Sequence, residues 1–184
     1  QCRGIGALVD PKDIETAARS ADAHVPLMSL PHLLGIDLET VPAEVPYIRT
    51  DLSLTRKWTE RLDHKAALRV GLCWQGNPNN TADSQRSMPA CLLAPLGRNP
   101  NVRFYSLQKG FGSEQSADIP GLTDFTAELD QTTGAFIDTA ALINGLDLVI
   151  TVDTSIAHLA GALGRPVWTM LAHMPDWRWM LDRS

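Results

Sequence analysis

The sequence predicts an α/β protein built on a Rossmann-like parallel sheet. Between residues 66 and 184, short apolar runs that suit strands covered on both faces alternate with segments of helical periodicity. The connections between them are short, which favours βαβ units in a doubly wound sheet. Because such sheets bind ligands at the carboxyl ends of their strands, polar residues at those ends are candidates for a site.

The first 51 residues differ from the rest of the chain. Pro26, Pro31, Pro42 and Pro46 interrupt short apolar runs, so this stretch is predicted to consist of extended segments and turns, with one short helix over 13–20. Helical composition follows over residues 52–64. Gln1 is not an initiator residue, and we interpret the chain as an excerpt of a longer protein.

The regular part of the chain contains alternating elements. The helix over 88–96 has Ser87 as its predicted N-cap and Pro89 in its first turn, and the helix over 134–144 ends at Gly145. Gly164 is expected to form a left-handed cap, after which Pro166 prevents the helix from continuing. Strands are predicted over 68–74, 102–107, 122–125, 147–152 and 166–171, helices over 88–96, 134–144, 154–163 and 176–182, and a polar loop over 108–120.

The bulk composition excludes several classes of protein. The 184 residues are 44% hydrophobic and carry a net charge of -5, which argues against sequence-independent nucleic-acid binding. Cys2, Cys73 and Cys91 lack metal-site spacing and predict a reducing compartment with packing roles. No apolar run reaches membrane-spanning length, and no signal peptide is evident. A cytoplasmic protein is expected.

The junction between the strand over 147–152 and the next helix carries the most chemistry. Asp153, Thr154 and Ser155 stand where strand becomes helix, and His158 follows one turn later on the same face as Thr154. A helix N-terminus offers unpaired N–H groups and a positive dipole end. Phosphate is therefore the predicted guest at this position.

Several common motifs are missing from the sequence. It has no G-x-G-x-x-G, Walker A, H-E-x-x-H, C-x-x-C or G-x-S-x-G pattern, and it has no D-x-D pair for a divalent ion. We therefore expect no metal and no cofactor. The charge of a bound diphosphate would be met by the helix dipole and by basic side chains.

The segment from Asp153 to Trp168, D-T-S-I-A-H-L-A-G-A-L-G-R-P-V-W, resembles the donor-binding motif of the heptosyltransferase group, glycosyltransferase family 9. Further segments resemble the branch of that family often fused to tetratricopeptide repeats. They are V-G-L-C-W-Q-G-N-P over 70–78, R-S-M-P over 86–89, F-Y-S-L-Q-K-G over 104–110, D-T-A-A-L-I over 138–143 and P-D-W-R-W over 175–179. The resemblance extends from about residue 24 to the end of the chain.

The resemblance implies the C-terminal half of a GT-B glycosyltransferase fold, in which two Rossmann-like domains face a cleft. Residues 1–51 would be the tail of the acceptor-side domain and a proline-rich linker. Residues 52–65 would form a bridging helix. Residues 66–184 would form the nucleotide-sugar domain, truncated at its C-terminus.

The resemblance also implies the residues of a donor site. Many heptosyltransferases have glycine where Ser155 stands, and nothing here matches the family's catalytic carboxylate or its acceptor loop, so we predict no catalytic residue in this chain. The donor-binding residues implied are Arg86, Gln108, Lys109, Asp153, Thr154, Ser155, Ile156 and His158.

Most of these residues have a simpler alternative. Lys109 could be an ordinary exposed lysine in a loop. Asp153 could be an N-cap, Thr154 and Ser155 ordinary residues of a first helical turn, and His158 a histidine packed between helix and sheet. Arg86 could serve only as a partner for Asp83. Of the tryptophans, Trp74, Trp177 and Trp179 are expected to pack rather than to bind ligand.

Three functions remain open from the sequence. The first is the donor-binding portion of an inverting, metal-independent glycosyltransferase that uses a nucleotide-diphosphate sugar, and the chain alone is expected to be inactive. The second is a non-catalytic binding module beside tetratricopeptide repeats. The third is a protein like a nucleotide-sugar epimerase. The expected partners are a nucleotide-sugar donor and a glycan, lipid-linked glycan or protein acceptor.

Overall fold

The computed structural model describes residues 7–180, which divide into two compact units, one ending at Glu44 and the other beginning at Val45. The first unit contains helices α1 (Ile14–Ser20) and α2 (Leu30–Leu33) and two short 3-10 segments. None of its described residues is buried, and the short helix predicted over 13–20 is present as α1. Gln1, Cys2 and the Gly4–Gly6 pattern lie outside the described residues.

The second unit is built on a five-stranded sheet of β1 (Leu68–Cys73), β2 (Val102–Ser106), β3 (Leu122–Thr123), β4 (Leu148–Val152) and β5 (Val167–Met170). The strand order is β3-β2-β1-β4-β5, and every neighbouring pair is parallel. The predicted α/β class and Rossmann-like parallel sheet are therefore confirmed. Since Leu72 of β1 lies beside both Ser106 and Ile150, the carboxyl ends of the three central strands share one edge.

The sheet buries apolar side chains on both faces. Val70 and Leu72 belong to one apolar cluster, which also holds Phe104, while Cys73 and Val149 belong to a second. The second cluster lies under helices α3 (Leu52–Thr59), α5 (Ile137–Asn144) and α6 (Ser155–Ala162), and the first is covered largely by 3-10 segments. Continuous apolar runs in the sequence reflect this coverage on both sides.

Two predicted helices are wrong. In place of a helix over 88–96 there are 3-10 segments at Ala90–Leu93 and Leu96–Arg98, because Pro95 has no N–H with which to continue an α-helix. Ser87 is not an N-cap, since it closes helix α4 (Asp83–Arg86). The helix predicted over 176–182 is a 3-10 turn at Trp177–Trp179, and residues 181–182 lie outside the described part of the chain.

Helix α3 packs against α5 within the second unit. Trp58 is buried, and its indole Nε1 donates a hydrogen bond of 2.7 Å to the Asp138 carboxylate.

After the carboxyl end of α6, Gly164 has the left-handed φ of 69° that its capping position predicts. The division into an acceptor-side tail, a bridging helix and a donor domain stays a prediction.

Gly97 offers a test of the packing around the first apolar cluster. A methyl group there would collide with the backbone carbonyl oxygen of Pro120, which cannot move as the end of a side chain can. We expect Gly97→Ala to lower the free energy of unfolding by about 1–3 kcal/mol, measured by urea denaturation. As a matched control, Gly161→Ala in α6 meets no atom within 4 Å and should be neutral or stabilising. An equal response of the two variants would contradict this packing.

Candidate functional site

A cavity of about 680 Å³ opens at the carboxyl edge of the sheet. Its volume is within the range of small-molecule sites in proteins. The walls come from the ends of β1, β2 and β4, from the loop that precedes α5, and from the start of α6. The lining residues are Cys73, Gln75, Gly76, Asn77, Pro78, Arg86, Leu107, Gln108, Lys109, Phe111, Asp130, Ala135, Phe136, Thr139, Asp153, Thr154, Ser155, Ile156, His158 and Arg178.

All eight residues predicted as donor-binding line this one cavity: Arg86, Gln108, Lys109, Asp153, Thr154, Ser155, Ile156 and His158. The parallel register of the strands brings them together, although they are spread over more than seventy positions of the sequence. What these residues bind stays a prediction, because their position alone identifies no ligand.

The turn between β4 and α6 is fixed by Thr154, which is the N-cap of α6. Its backbone is extended (φ -138°, ψ 174°), and its Oγ1 accepts a hydrogen bond of 3.3 Å from the N–H of Ile156. The N-cap of α6 is therefore Thr154 and not Asp153. Ser155 is the first residue of the helix and is exposed to the cavity. The positive end of the α6 dipole thus lies in the cavity wall.

Arg86 ties the β1 side of the cavity to this turn. Its Nε pairs with Asp83 at 3.1 Å, and its Nη1 donates a hydrogen bond of 2.8 Å to the carbonyl oxygen of Asp153. The expected pairing with Asp83 is therefore present. The second contact holds the backbone just before Thr154, so the guanidinium positions the turn while its charge is paired with Asp83.

Lys109 is held in place by the loop that precedes α5. Its ammonium group donates to the carbonyl oxygen of Leu129 (2.6 Å) and lies 3.6 Å from the Asp130 carboxylate. Asp130 has a left-handed φ of 56° and a buried side chain. It accepts hydrogen bonds from the backbone N–H groups of Asp138 and Thr139 at 2.7 and 3.1 Å, so it caps α5 from eight residues upstream.

Gln108 serves the architecture of the cavity wall. Its side chain is buried, and its Oε1 accepts from the N–H groups of Trp74 (3.1 Å) and Gln75 (2.9 Å). Its Nε2 donates to the carbonyl oxygens of Gln75 (3.0 Å) and Phe111 (2.7 Å). The amide is therefore fully engaged by the protein backbone, and a contact between this side chain and a ligand remains an untested prediction.

His158 does not pack between helix and sheet. It is exposed, and its ring stacks on Trp179 with centroids 5.5 Å apart and planes inclined by 17°. The 3-10 turn that contains Trp179 also contributes Arg178. Its guanidinium forms a two-point ion pair with the Asp176 carboxylate, with N–O distances of 2.8 and 3.2 Å. Arg178 lines the cavity and was missed from the sequence, where only its position between two tryptophans distinguished it.

Cys73 is the only cysteine that lines the cavity among the described residues, and its environment suits packing. Burial raises the pKa of its thiol above the ordinary range, against hydrogen bonds from Thr151 and Thr154. A protonated thiol is a poor nucleophile. Cys91 is free and exposed, so the predicted packing role is wrong for that residue. Cys2 lies outside the described chain.

The tryptophans divide into two kinds. Trp74 is wholly buried at the end of β1, where its Nε1 donates 3.1 Å to the carbonyl oxygen of Gly112, as packing predicts. Trp177 is 78% exposed, so the prediction that it packs is wrong. His173, which follows β5, is exposed and does not line the cavity.

The family model described as "Glycosyltransferase family 9 (heptosyltransferase)" matches residues 132–179. This stretch includes the whole of α5, the β4–α6 turn and the stacked pair of His158 and Trp179. Five of the eight predicted donor-site residues therefore lie in the matched segment, as does Arg178.

Comparison with characterised and solved proteins gives three similar chains. Protein FlbA of Caulobacter vibrioides is 29% identical over 150 residues, which cover 76% of this chain and 24% of FlbA. The highly reducing polyketide synthase verA of Penicillium polonicum is 29% identical over 109 residues, or 58% of this chain and 4% of the synthase. This chain thus spans less than a quarter of either relative.

A crystal structure of a family 9 glycosyl transferase from Veillonella parvula superimposes with a TM-score of 0.51 at 17% identity, covering 80% of this chain and 43% of that one. At this level of identity the likeness establishes the fold. The Rossmann-like sheet with its flanking helices is accordingly the fold found in that glycosyl transferase.

Proposed function

We propose that the cavity of this chain, whose residues 132–179 match the family model of glycosyltransferase family 9, binds the diphosphate end of a nucleotide-sugar donor. The observation that carries the proposal is the convergence of the α6 N-terminus, Arg86, Lys109 and His158 on one cavity at the carboxyl edge of a parallel sheet. Such an edge is where open α/β sheets bind ligands. The start of a helix with basic groups around it favours an anion.

The proposed role of these residues is to stabilise the leaving group. In an inverting transfer, a base removes the proton of the acceptor hydroxyl while the nucleotide diphosphate departs from the sugar. Negative charge then grows on the diphosphate, and fixed dipoles aimed at that charge lower the barrier. The α6 dipole contributes about 0.3–1 kcal/mol per charge, and more where water is excluded. We assign no catalytic base to the residues of this chain.

We further propose that no divalent ion is needed to hold the donor. Of the two carboxylates in the cavity, that of Asp130 is occupied by the α5 N-terminus and by Lys109. Within residues 7–180, no three His, Cys, Asp or Glu side chains are grouped as metal ligands. The basic groups of the cavity supply the compensating charge in this account.

For the acceptor we propose only a class of molecule: a glycan, a lipid-linked glycan or a protein. The fusion to tetratricopeptide repeats and the cytoplasmic location stay predictions. No helix within the described part of the chain has the length and apolarity needed to cross a membrane.

Thermal unfolding with a panel of ADP, UDP and GDP tests the proposed function. A ligand at 100 times its Kd adds about 2.7 kcal/mol of stability, so we expect the matching nucleotide to raise the Tm by roughly 5–10 °C for a chain of this size. Asp153→Ala should reduce the shift because we propose that this carboxylate accepts hydrogen bonds from the ribose, and His158→Ala should reduce it by removing an imidazole from the cavity wall. His64→Ala, at an exposed histidine outside the cavity, is the matched control and should leave the shift unchanged.

The panel has a clear negative outcome. Melting curves that stay flat with all three nucleotides at millimolar concentration would remove the donor-site proposal. A shift that survives both cavity substitutions would place the nucleotide elsewhere on the protein.

A further inference from the structure

Two phenylalanines line the cavity without taking part in the core. Phe111 is 54% exposed and Phe136 is 44% exposed, and both belong to the cavity wall. By contrast, Phe125 packs against Trp58 and Tyr105 with ring centroids 5.7 and 6.1 Å apart. Neither Phe111 nor Phe136 makes such a ring contact within residues 7–180. Their aromatic faces are thus available to a ligand in the cavity.

The backbone of Phe136 is in a conformation that its side chain disfavours. Its φ of 65° and ψ of 4° lie in the left-handed region, which a bulky residue occupies at a cost of about 1–3 kcal/mol. Glycine or asparagine would adopt this conformation more easily. The strain therefore calls for another reason why an aromatic ring stands here.

Helix capping does not supply that reason. Phe136 occupies the N-cap position of α5, but its side chain makes no capping hydrogen bond. The first N–H groups of the helix are satisfied instead by the Asp130 carboxylate. The Asp130 carboxylate provides the capping, and 44% of the Phe136 surface is exposed at the cavity wall, so its ring can contact a ligand there.

The backbone around Phe111 is fixed from several sides. Gly110 and Gly112 have left-handed φ values of 71° and 84°. The carbonyl oxygen of Phe111 accepts a hydrogen bond from the buried Gln108 amide, and that of Gly112 accepts one from the buried Trp74 indole. An exposed ring on so constrained a turn is presented to the cavity at little further cost in backbone entropy when a ligand binds.

We propose that Phe111 and Phe136 form the platform on which the base of the nucleotide stacks. The inference rests on the proposed function, since it assigns the nucleoside end of the same ligand whose diphosphate lies at α6. A planar, polarisable group is the chemistry that exposed aromatic rings select, and every nucleobase has such a face. The cavity would then hold charge at the α6 end and a stacked base at the two phenylalanines.

Substitutions at Phe136 separate stacking from folding. Phe136→Asn relieves the left-handed strain and removes the ring, so the protein should keep its Tm without ligand. Its Kd for the nucleoside diphosphate should rise roughly 5- to 100-fold, the loss typical of one stacked base. Phe136→Tyr retains a ring and should bind within about threefold of the parent protein. Phe111→Leu should weaken binding as Phe136→Asn does, and Tyr47→Leu, at an exposed ring outside the cavity, should not.

Calorimetric titration with the nucleoside diphosphate and with inorganic pyrophosphate distinguishes the outcomes. We expect the Phe136→Asn and Phe111→Leu proteins to lose affinity for the nucleotide while binding pyrophosphate as the parent does. Unchanged nucleotide affinity in both variants would overturn the stacking platform and leave the diphosphate site standing. If the parent protein bound neither ligand, the proposed function would fail, and the platform with it.

Discussion

Replacing Asp138 by alanine is expected to lower the free energy of unfolding by about 3–4 kcal/mol. The carboxylate is buried at the start of α5, where it accepts hydrogen bonds from the Trp58 indole (2.7 Å), the Asp130 backbone (3.0 Å) and the Thr133 hydroxyl. Alanine would leave the buried Trp58 indole and the partly buried Asp130 N–H without this partner, each at a cost of about 1–3 kcal/mol before relaxation, whereas the exposed Thr133 hydroxyl can bond to water. The fall in the midpoint of urea denaturation measures the effect.

A matched substitution controls for the loss of a carboxylate as such. Asp118 is exposed at the end of a 3-10 segment, and Asp118→Ala should change stability by less than about 0.5 kcal/mol. If Asp138→Ala were as stable as Asp118→Ala, the network that joins α3, α5 and the preceding loop would not exist in solution.

The hydrogen bonds of Asp138 also predict how the stability of the protein changes with pH. Burial would raise the pKa of the Asp138 carboxyl, but hydrogen bonds from Thr133, Trp58 and Asp130 outweigh it and hold the pKa below the ordinary value of 3.8. A group with a depressed pKa in the folded state stabilises the protein above its unfolded pKa, and that stability is lost as the pH falls through the folded value. The stability gap between the parent and Asp138→Ala should therefore narrow below about pH 4. A constant gap between pH 6 and pH 3 would contradict this.

The second large effect is expected at Ser155, the exposed first residue of α6. A glutamate there places a negative charge at the positive end of the helix, which should leave stability unchanged or raise it by about 0.3–1 kcal/mol. The same charge would repel a diphosphate from the helix N-terminus. Ser155→Glu should thus lose nucleotide binding without losing stability, a combination that unfolding cannot produce.

Much of the fold follows from local pattern. The apolar runs of β1, β2 and β4 and the periodicity of α6 depend on residues close in sequence, and so does the left-handed Gly164. The helix predicted over 88–96 was wrong because the prediction followed the apolar content of the segment, while Pro95 prevents an α-helix from continuing there. Apolar content alone does not distinguish 3-10 turns from a helix as the cover of the first apolar cluster.

The candidate site, like the fold, could be predicted from the sequence only in part. The β4–α6 turn was recognisable because Thr154, Ser155 and His158 stand at a junction whose local chemistry favours an anion. Asp130, by contrast, caps a helix that begins seven residues later, and no spacing rule covers such a cap. Phe136 was invisible because its left-handed backbone and its exposed ring are both consequences of the folded loop.

Binding of a nucleoside diphosphate to the α6 end of the cavity is the central claim, and calorimetric titration of three proteins tests it most directly. The parent chain and Ser155→Gln, which matches glutamate in size without its charge, should bind the same member of the ADP, UDP and GDP panel with Kd values within about tenfold of each other. Ser155→Glu should show at least a hundredfold weaker binding, equivalent to about 2.7 kcal/mol. Equal affinity of the glutamate and glutamine variants, or no binding by the parent chain, would contradict the claim.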